Sequence, residues 1–211
     1  MRRRILCIGD SNTWGYIPGG GGRYEEEERW TGRLADKLGA GYRVIEEGMN
    51  GRTTAFSDRI EPGVCALDYL YPCLISHFPL DLIIVMLGTN DCKTRYHVSA
   101  AEIGYGMDEV LLEIERICQR KGQHPQILVV SPGHLYADET WTEFDETAVQ
   151  KAAALGREYE VVTEAHDCAF LDAYPQLEGA CIGCDGIHLT REGHRRLAGL
   201  IAEKIKSMEG K

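Results

Sequence analysis

Short apolar runs recur along the chain and are separated by longer segments with helical spacing. The runs are rich in Ile, Val and Leu and do not alternate with polar residues, which is typical of strands buried on both faces of a sheet. The predicted strands are Arg4–Ile8, Tyr42–Ile45, Leu80–Leu87, Gln126–Ser131 and Ala169–Leu171. The predicted helices are Trp30–Leu38, Val64–His77, Ala100–Arg120, Glu143–Glu158 and Arg191–Met208.

The alternation of strand and helix predicts the α/β class, with a parallel sheet that carries helices on both faces. No internal repeat, long linker or break in composition divides the chain, so we expect residues 1–211 to form a single domain. In such sheets, binding sites lie beyond the carboxyl ends of the strands. The residues at these ends are Gly9–Ser11, Gly48–Gly51, Gly88–Asp91, Ser131–His134 and the segment near Asp185.

Composition narrows the choice of partner and compartment. The 211 residues are 44% hydrophobic and 27% charged, as in a globular protein, and the net charge of −10 disfavours nucleic acid or an anionic membrane as the main partner. No apolar stretch approaches the roughly 20 residues of a membrane span. The basic start is followed only by Ile5–Ile8 before Gly9, which is shorter than the apolar core of about 7–15 residues in a signal peptide. We therefore expect a cytoplasmic protein with no membrane partner.

Eight cysteines are present, and most lie in apolar segments where a free thiol behaves as a small buried hydrophobe. Cys181 and Cys184 have the C-x-x-C spacing of a metal or redox pair, but no second pair completes a four-ligand site. We expect no metal and no cofactor. A zinc hydrolase that uses both cysteines with His188 is the alternative hypothesis.

The segment from Pro18 to Glu28 contains four consecutive glycines and, at its end, four glutamates. Glycine permits almost any backbone path, and the glutamates are most simply solvated. One interpretation is a surface loop. The other is a loop that overhangs the site or contacts a neighbouring subunit, because it follows Ser11 so closely.

The stretch ILCIGDSNTWG places Ser11 where the first strand ends. A serine at this corner either caps a helix or, if a base takes its proton, acts as a nucleophile. Asp185-Gly-Ile-His188 offers the base, because a three-residue separation can bring an aspartate beside a histidine within one turn and orient the imidazole toward Ser11. The alternative is an ordinary Asp-Gly turn with a packed histidine.

Acyl transfer also requires donors for the oxyanion that forms when the serine attacks a carbonyl. Asn90 follows the most apolar strand, Asp81–Leu87, and its amide is one candidate; an Asn-Asp turn is the alternative. After the second strand, a glycine N–H can approach a substrate without a side chain in the way. Gly48 and Gly51 compete for this role, and we favour Gly51 on its distance from the strand.

Four blocks, GDSNTWG, EEGMNGRTT, LGTND and DGIHLT, resemble in order and spacing those of the SGNH hydrolases, also called the GDSL family. The resemblance extends from Gly9 to His194, and the sequence around the blocks is similar to that of the bacterial arylesterase and acyltransferase branch. It implies a flavodoxin-like three-layer α/β/α fold with a five-stranded parallel sheet. Asn12 departs from the leucine that gives the GDSL name.

The resemblance also implies roles. Ser11 matches the nucleophile and first oxyanion donor, Gly51 and Asn90 match the further donors, and His188 and Asp185 match the general base and its partner. It implies a small-molecule ester as substrate, of short-chain acetyl or aryl type, with acyl transfer to alcohols as a side reaction. A carbohydrate O-deacetylase, a lysophospholipase and a thioesterase are the alternatives. The branch includes homo-oligomers, so a homo-oligomer is consistent with it.

Three further residues are interpreted less specifically. Trp14 either walls the acyl pocket or anchors the first helix, and Asp10 is grouped with the pocket but expected to support the local backbone. His194 is expected to pack or to lie at the surface. A non-enzymatic binder of a phosphate group at the Gly9–Ser11 helix start is the competing hypothesis. It would leave Asp185 and His188 without a use.

Overall fold

The computed structural model describes residues 2–137 and 143–210; Met1 and Lys211, the ends of the expected domain, lie outside the described residues. Five strands form one parallel sheet in the order β2-β1-β3-β4-β5, the flavodoxin-like order. The strands are β1 (Arg3–Gly9), β2 (Tyr42–Gly48), β3 (Leu82–Met86), β4 (Gln126–Val130) and β5 (Ala169–Leu171). The predicted fold class is confirmed.

The helices are α1 (Ser11–Trp14), α2 (Trp30–Leu38), α3 (Ala66–His77), α4 (Ala100–Arg120), α5 (Glu146–Ala165) and α6 (Arg191–Glu209). The predicted bounds of α5 were wrong at both ends. The helix begins later because the Asp145 carboxylate accepts hydrogen bonds from the N–H groups of Thr147 and Ala148 and so caps it. It continues past Glu158 because Tyr159 and Val162 extend its buried face.

Two apolar cores lie on the two faces of the sheet. Alternate strand residues such as Leu6 and Ile83 pack with α3, α4 and α5, whereas Ile5 and Ile84 pack with α2 and α6. This gives the three layers. None of the helices in residues 2–137 and 143–210 is long and apolar enough to cross a bilayer.

The strand register sets up one edge of the molecule. Gly9 pairs with Gly48 on one side and with Met86 on the other, so β1, β2 and β3 end side by side. Helix α1 then turns closely over these ends: a Cβ on Gly48 would lie 2.2 Å from the backbone N of Trp14. Glycine at this position therefore lets α1, and with it Ser11, sit directly on the sheet edge.

Candidate active site

Ser11 is the first residue of α1. The N-cap of this helix is Asp10, whose buried carboxylate accepts a hydrogen bond from the N–H of Asn12 at 2.9 Å. The capping role that the sequence left open for Ser11 is therefore held by Asp10. The Ser11 hydroxyl faces His188 instead, with Oγ 3.0 Å from Nε2 of the imidazole.

His188 lies at the end of a tight turn that begins at Asp185, and a β-bridge between Ile182 and Leu189 closes this turn. Nδ1 of the imidazole is 2.9 Å from Oδ2 of Asp185. The other carboxylate oxygen accepts the backbone N–H groups of Ile187 at 3.1 Å and of His188 at 3.0 Å. Both carboxylate oxygens are thus held, and the side chains of Asp185 and His188 are almost fully buried.

The charge state of Asp185 determines what His188 can do. Burial alone would raise the pKa of this carboxyl group, but the hydrogen bonds and charge of His188 and the N–H of Ile187 outweigh burial and lower the pKa to about 2. Asp185 is therefore ionised at neutral pH and only accepts hydrogen bonds, so Nδ1 of His188 is the donor. In the neutral imidazole this leaves Nε2 as the acceptor facing the Ser11 hydroxyl.

The segment after α1 belongs to this site. The ring of Tyr16 lies 4.3 Å from the ring of His188, and the N–H of Gly19 donates to Oδ2 of Asp185 at 3.1 Å. Gly19 has a φ of +70° and comes so close to Cys184 that a Cβ would meet its sulfur at 2.5 Å. The glycine-rich segment stands out in the sequence, but these contacts do not, since nothing in the local pattern points to Asp185.

Asn12 links helix α1 to the backbone on either side of His188. Its side-chain oxygen accepts the N–H of Leu189 at 2.8 Å, and its amide nitrogen donates to the carbonyl of Ile187 at 3.4 Å. These two bonds bracket His188 in the chain. The residue that departs from the family's leucine therefore ties the helix of Ser11 to the backbone that carries the imidazole.

Gly51 and Asn90 follow β2 and β3, the two strands that flank β1 in the sheet. The Asn90 side chain is buried, and its Nδ2 donates to the carbonyl of Arg52 at 3.1 Å, which uses one of the two amide hydrogens. Gly51 has a φ of +78° and borders the same cavity as Ser11 and Asn90. Gly48 does not border this cavity among the described residues, because α1 covers it.

Asp91 connects the loops that carry Asn90 and Gly51. Its Oδ1 accepts the backbone N–H and the hydroxyl of Thr54, the former at 2.9 Å, and the residue is fully buried. Burial raises the pKa of Asp91 to about 6, although the Thr54 hydrogen bonds oppose the shift. In the sequence, Asp91 could be interpreted only as part of a turn. Its partner lies 37 positions away, so no local signal could have identified this contact.

Ser11, Gly51, Asn90 and His188 open into a common cavity of about 210 Å³. One wall is charged: the buried ammonium group of Lys93 lies 3.0 Å from Glu61 and 3.5 Å from Glu143. The rest of the lining is formed by Tyr16, Asn50, Phe144 and Ile187.

Trp14 and Asp10 are not among the described residues that line this cavity. The ring of Trp14 lies 4.9 Å from the guanidinium of Arg23, and Asp10 is turned inward as a helix cap. His194 is buried and accepts the N–H of Trp30 at 3.2 Å through Nδ1. It therefore packs in the interior of the protein.

All eight cysteines are free thiols. Cys181 is buried and Cys184 exposed. Within the described ranges, these two sulfurs and His188 do not form a group of donor atoms that could share one ion. The donor arrangement that the zinc-hydrolase hypothesis requires is not formed.

Comparison with known proteins gives consistent results. Residues 7–196 match the model of the GDSL-like lipase/acylhydrolase family. No curated protein matches the chain.

Among solved structures, the native aryl esterase of M. smegmatis is 37% identical with a TM-score of 0.90, over 97% of this chain and 99% of that one. Est24, a carbohydrate acetylesterase from Sinorhizobium meliloti, is also 37% identical with a TM-score of 0.90, over 98% and 100% of the two chains. A carbohydrate acetylesterase family member from the same organism is 32% identical with a TM-score of 0.87, over 99% and 100%.

The family match covers most of the chain, and it agrees with the parallel sheet and with the four blocks at the strand ends. The chain therefore belongs to the GDSL-like lipase/acylhydrolase family and is a carboxylic ester hydrolase.

Proposed function

We propose that the protein hydrolyses short-chain carboxylic esters, of acetyl or aryl type, through an acyl-enzyme on Ser11. The observation that carries this proposal is the buried hydrogen-bond chain from Ser11 through His188 to Asp185, with spacings of 3.0 and 2.9 Å. Serine is a weak nucleophile unless a base accepts its proton, and this chain supplies the base and orients it.

In the first step, Oγ of Ser11 attacks the carbonyl carbon while Nε2 of His188 takes the hydroxyl proton. The imidazolium that forms is stabilised by Asp185, which stays ionised because its pKa is about 2. The tetrahedral intermediate then collapses. His188 returns its proton to the leaving alcohol, and the acyl group remains on Ser11.

The oxyanion of this intermediate needs preorganised donors. We assign this role to the N–H groups of Ser11 and Gly51 and to the side-chain amide of Asn90. Ser11 stands in the first turn of α1, where backbone N–H groups have no partner within the helix. The bond from Asn90 to the Arg52 carbonyl holds the amide in one orientation before substrate arrives.

In the second step, water attacks the acyl carbon with His188 again as the base, and the carboxylic acid leaves Ser11. An alcohol that reaches the same position would take the acyl group instead of water. We therefore include acyl transfer to alcohols as a side reaction, to be measured as the share of transferred product when an alcohol is added.

The cavity supports a short acyl group and a polar alcohol. Its volume is about 210 Å³, and Lys93, Glu61 and Glu143 form one wall. Charged groups at this position favour a hydroxyl-rich leaving group, so carbohydrate O-deacetylation is the second candidate. It agrees with the carbohydrate acetylesterases among the similar structures. A lysophospholipase or a long-chain thioesterase is less well supported.

Hydrolysis of p-nitrophenyl acetate tests the proposal directly. Ser11→Ala is expected to abolish turnover while the circular dichroism spectrum and thermal transition stay as in the parent. Rates should fall steeply from acetyl toward long acyl chains, and an acetylated monosaccharide compared with its aryl acetate would rank the two candidate functions. An unchanged rate in Ser11→Ala would refute the acyl-enzyme, and a preference for long chains would refute the short-chain assignment.

We also propose a cytoplasmic location. The free state of all eight cysteines supports it, since oxidising compartments favour disulfides.

A further inference from the structure

A second cluster of chemically reactive side chains lies away from Ser11, between strand β2 and helix α3. Glu47 projects from β2, and Cys73 and His77 are one helical turn apart on α3, so both face Glu47. One donor atom from each, a carboxylate oxygen, a thiol sulfur and an imidazole nitrogen, lies within 4.8 Å of the other two. In the part of the chain that the structure describes, no other three such side chains meet in this way.

We propose that Glu47, Cys73 and His77 bind one thiophilic divalent cation, with Zn²⁺ as the best match. Sulfur, nitrogen and oxygen donors together suit Zn²⁺ better than Mg²⁺ or Ca²⁺, which prefer oxygen alone. Three protein ligands leave the fourth tetrahedral position to water.

The present spacing requires little rearrangement. Nε2 of His77 lies 2.7 Å from Oε1 of Glu47, so the ion would replace the hydrogen bond between them. Cys73 lies buried beneath this pair, at 2% exposure. The side chains of His77 and Glu47 are 25% and 21% exposed, which gives an ion a route from solvent.

Neighbouring groups are compatible with the ion. The hydroxyl of Tyr69 donates to Oε2 of Glu47 at 2.8 Å and would keep holding this carboxylate in place. The guanidinium of Arg52 lies 4.8 Å from the Tyr69 ring. On binding, the Cys73 thiol releases its proton to solvent as the sulfur–metal bond forms. The thiolate and carboxylate then balance the two charges of the ion, so Arg52 faces a neutral centre.

The site uses none of the groups assigned to ester hydrolysis, and it does not depend on that proposal. No sequence motif indicates this site, because Glu47 lies far from Cys73 and His77 in the chain. The C-x-x-C spacing in the sequence, at Cys181 and Cys184, lies elsewhere in the chain.

Titration of the chelator-treated full chain with Co²⁺ tests the proposal. One Co²⁺ per chain is expected to produce a thiolate-to-cobalt charge-transfer band and the strong visible bands of a tetrahedral site, and Zn²⁺ should displace it. Glu47→Gln and His77→Gln are expected to weaken binding by about a hundredfold or more. Cys73→Ala is expected to remove the charge-transfer band altogether. If that variant does not fold, the Co²⁺ affinities of Glu47→Gln and His77→Gln test the proposal.

Cys184→Ser and His124→Gln are matched controls, because both residues are exposed and lie outside the cluster. Both should keep the parent spectrum and affinity. The assignment would be overturned if the parent showed no thiolate-to-cobalt band, or if the band persisted in Cys73→Ala. It would equally be overturned if His77→Gln and Glu47→Gln bound Co²⁺ with the affinity of the parent, or if Cys184→Ser lost the band.

Discussion

Nε2 of His188 lies 3.0 Å from Oγ of Ser11, although 177 positions separate the two residues in the chain. The sheet order explains the meeting: β1 lies inside the sheet between β2 and β3, so the residue after it stands at the carboxyl edge, where the turn before α6 also returns. The catalytic proposal depends on this relationship and on the carboxylate behind the imidazole.

Asp185→Asn is expected to lower kcat by about 10³–10⁴-fold, because a neutral amide neither holds Nδ1 protonated nor stabilises an imidazolium. Steady-state hydrolysis of p-nitrophenyl acetate, with folding checked by circular dichroism, measures the effect. Asp36→Asn makes the same chemical change at an exposed position of α2 and should behave as the parent. A loss below tenfold would contradict the role proposed for Asp185.

Asn90→Ala is expected to reduce kcat by about 10²–10³-fold with a much smaller change in KM, because an oxyanion donor acts chiefly in the transition state. Asn50→Ala is the informative comparison, since Asn50 borders the cavity but is exposed and has no assigned donor role. Its kcat should stay near that of the parent. An effect of Asn90→Ala confined to KM would argue against the oxyanion assignment.

Strand β3 was predictable because both of its faces are buried, so it reads as an unbroken apolar run. Ile83, Ile84 and Val85 illustrate this, since all three are fully buried although they face alternate cores. The start of α5 was not found, because the decisive contacts are the hydrogen bonds of one aspartate, Asp145, to two backbone groups.

The residues proposed for catalysis stood out because each follows a strand end and belongs to a block resembling a known family. The residues that hold these catalytic side chains in place did not stand out in the sequence. Gly19, Asn12 and Asp91 act through one or two hydrogen bonds to distant parts of the chain, and such contacts leave no periodic pattern in the sequence. Trp14 follows Ser11 closely in the sequence, but its ring contacts the guanidinium of Arg23 and does not border the cavity.

Asn12→Leu restores the residue after which the family is named, and here we expect it to be harmful. The change removes both bonds to the backbone around His188 and leaves the buried N–H of Leu189 without an acceptor, at a cost of about 1–3 kcal/mol. We expect a lower Tm and a reduced kcat. Asn12→Asp keeps an acceptor for Leu189 and should lose less stability. Equal stability of the parent and Asn12→Leu would contradict this account.

Gly48→Ala tests the close packing of α1 on the sheet edge. The new Cβ would meet backbone atoms of Thr13 and Trp14 at 2.6 and 2.2 Å, and backbone cannot rotate away as a side chain would. We expect a loss of about 1–3 kcal/mol or more in unfolding free energy, together with reduced activity because Ser11 is displaced. Gly199→Ala is the matched control, since its site in α6 has open space and alanine favours helix by about 1 kcal/mol. It should leave activity unchanged and raise stability slightly.

His194 is expected to make the fold sensitive to acid. Burial, followed by the charges of Arg33 and Arg29, lowers the pKa of His194 to about 3. In the unfolded chain, the pKa of a histidine is about 6.5. The unfolded chain therefore binds one more proton than the folded chain between these values. The stability that neutral His194 contributes is fully present above about pH 6.5 and is lost progressively as the pH falls toward 3, with a slope of at most about 1.4 kcal/mol per pH unit.

Urea unfolding at several pH values between 7 and 4 would measure this slope. His194→Asn removes the titrating group while its side-chain oxygen can still accept the N–H of Trp30, so the variant should show a flatter dependence even if it is less stable at pH 7. His124→Asn changes an exposed histidine and should keep the parent slope. If the His194→Asn and parent slopes coincide, the buried imidazole is not the source of the acid sensitivity.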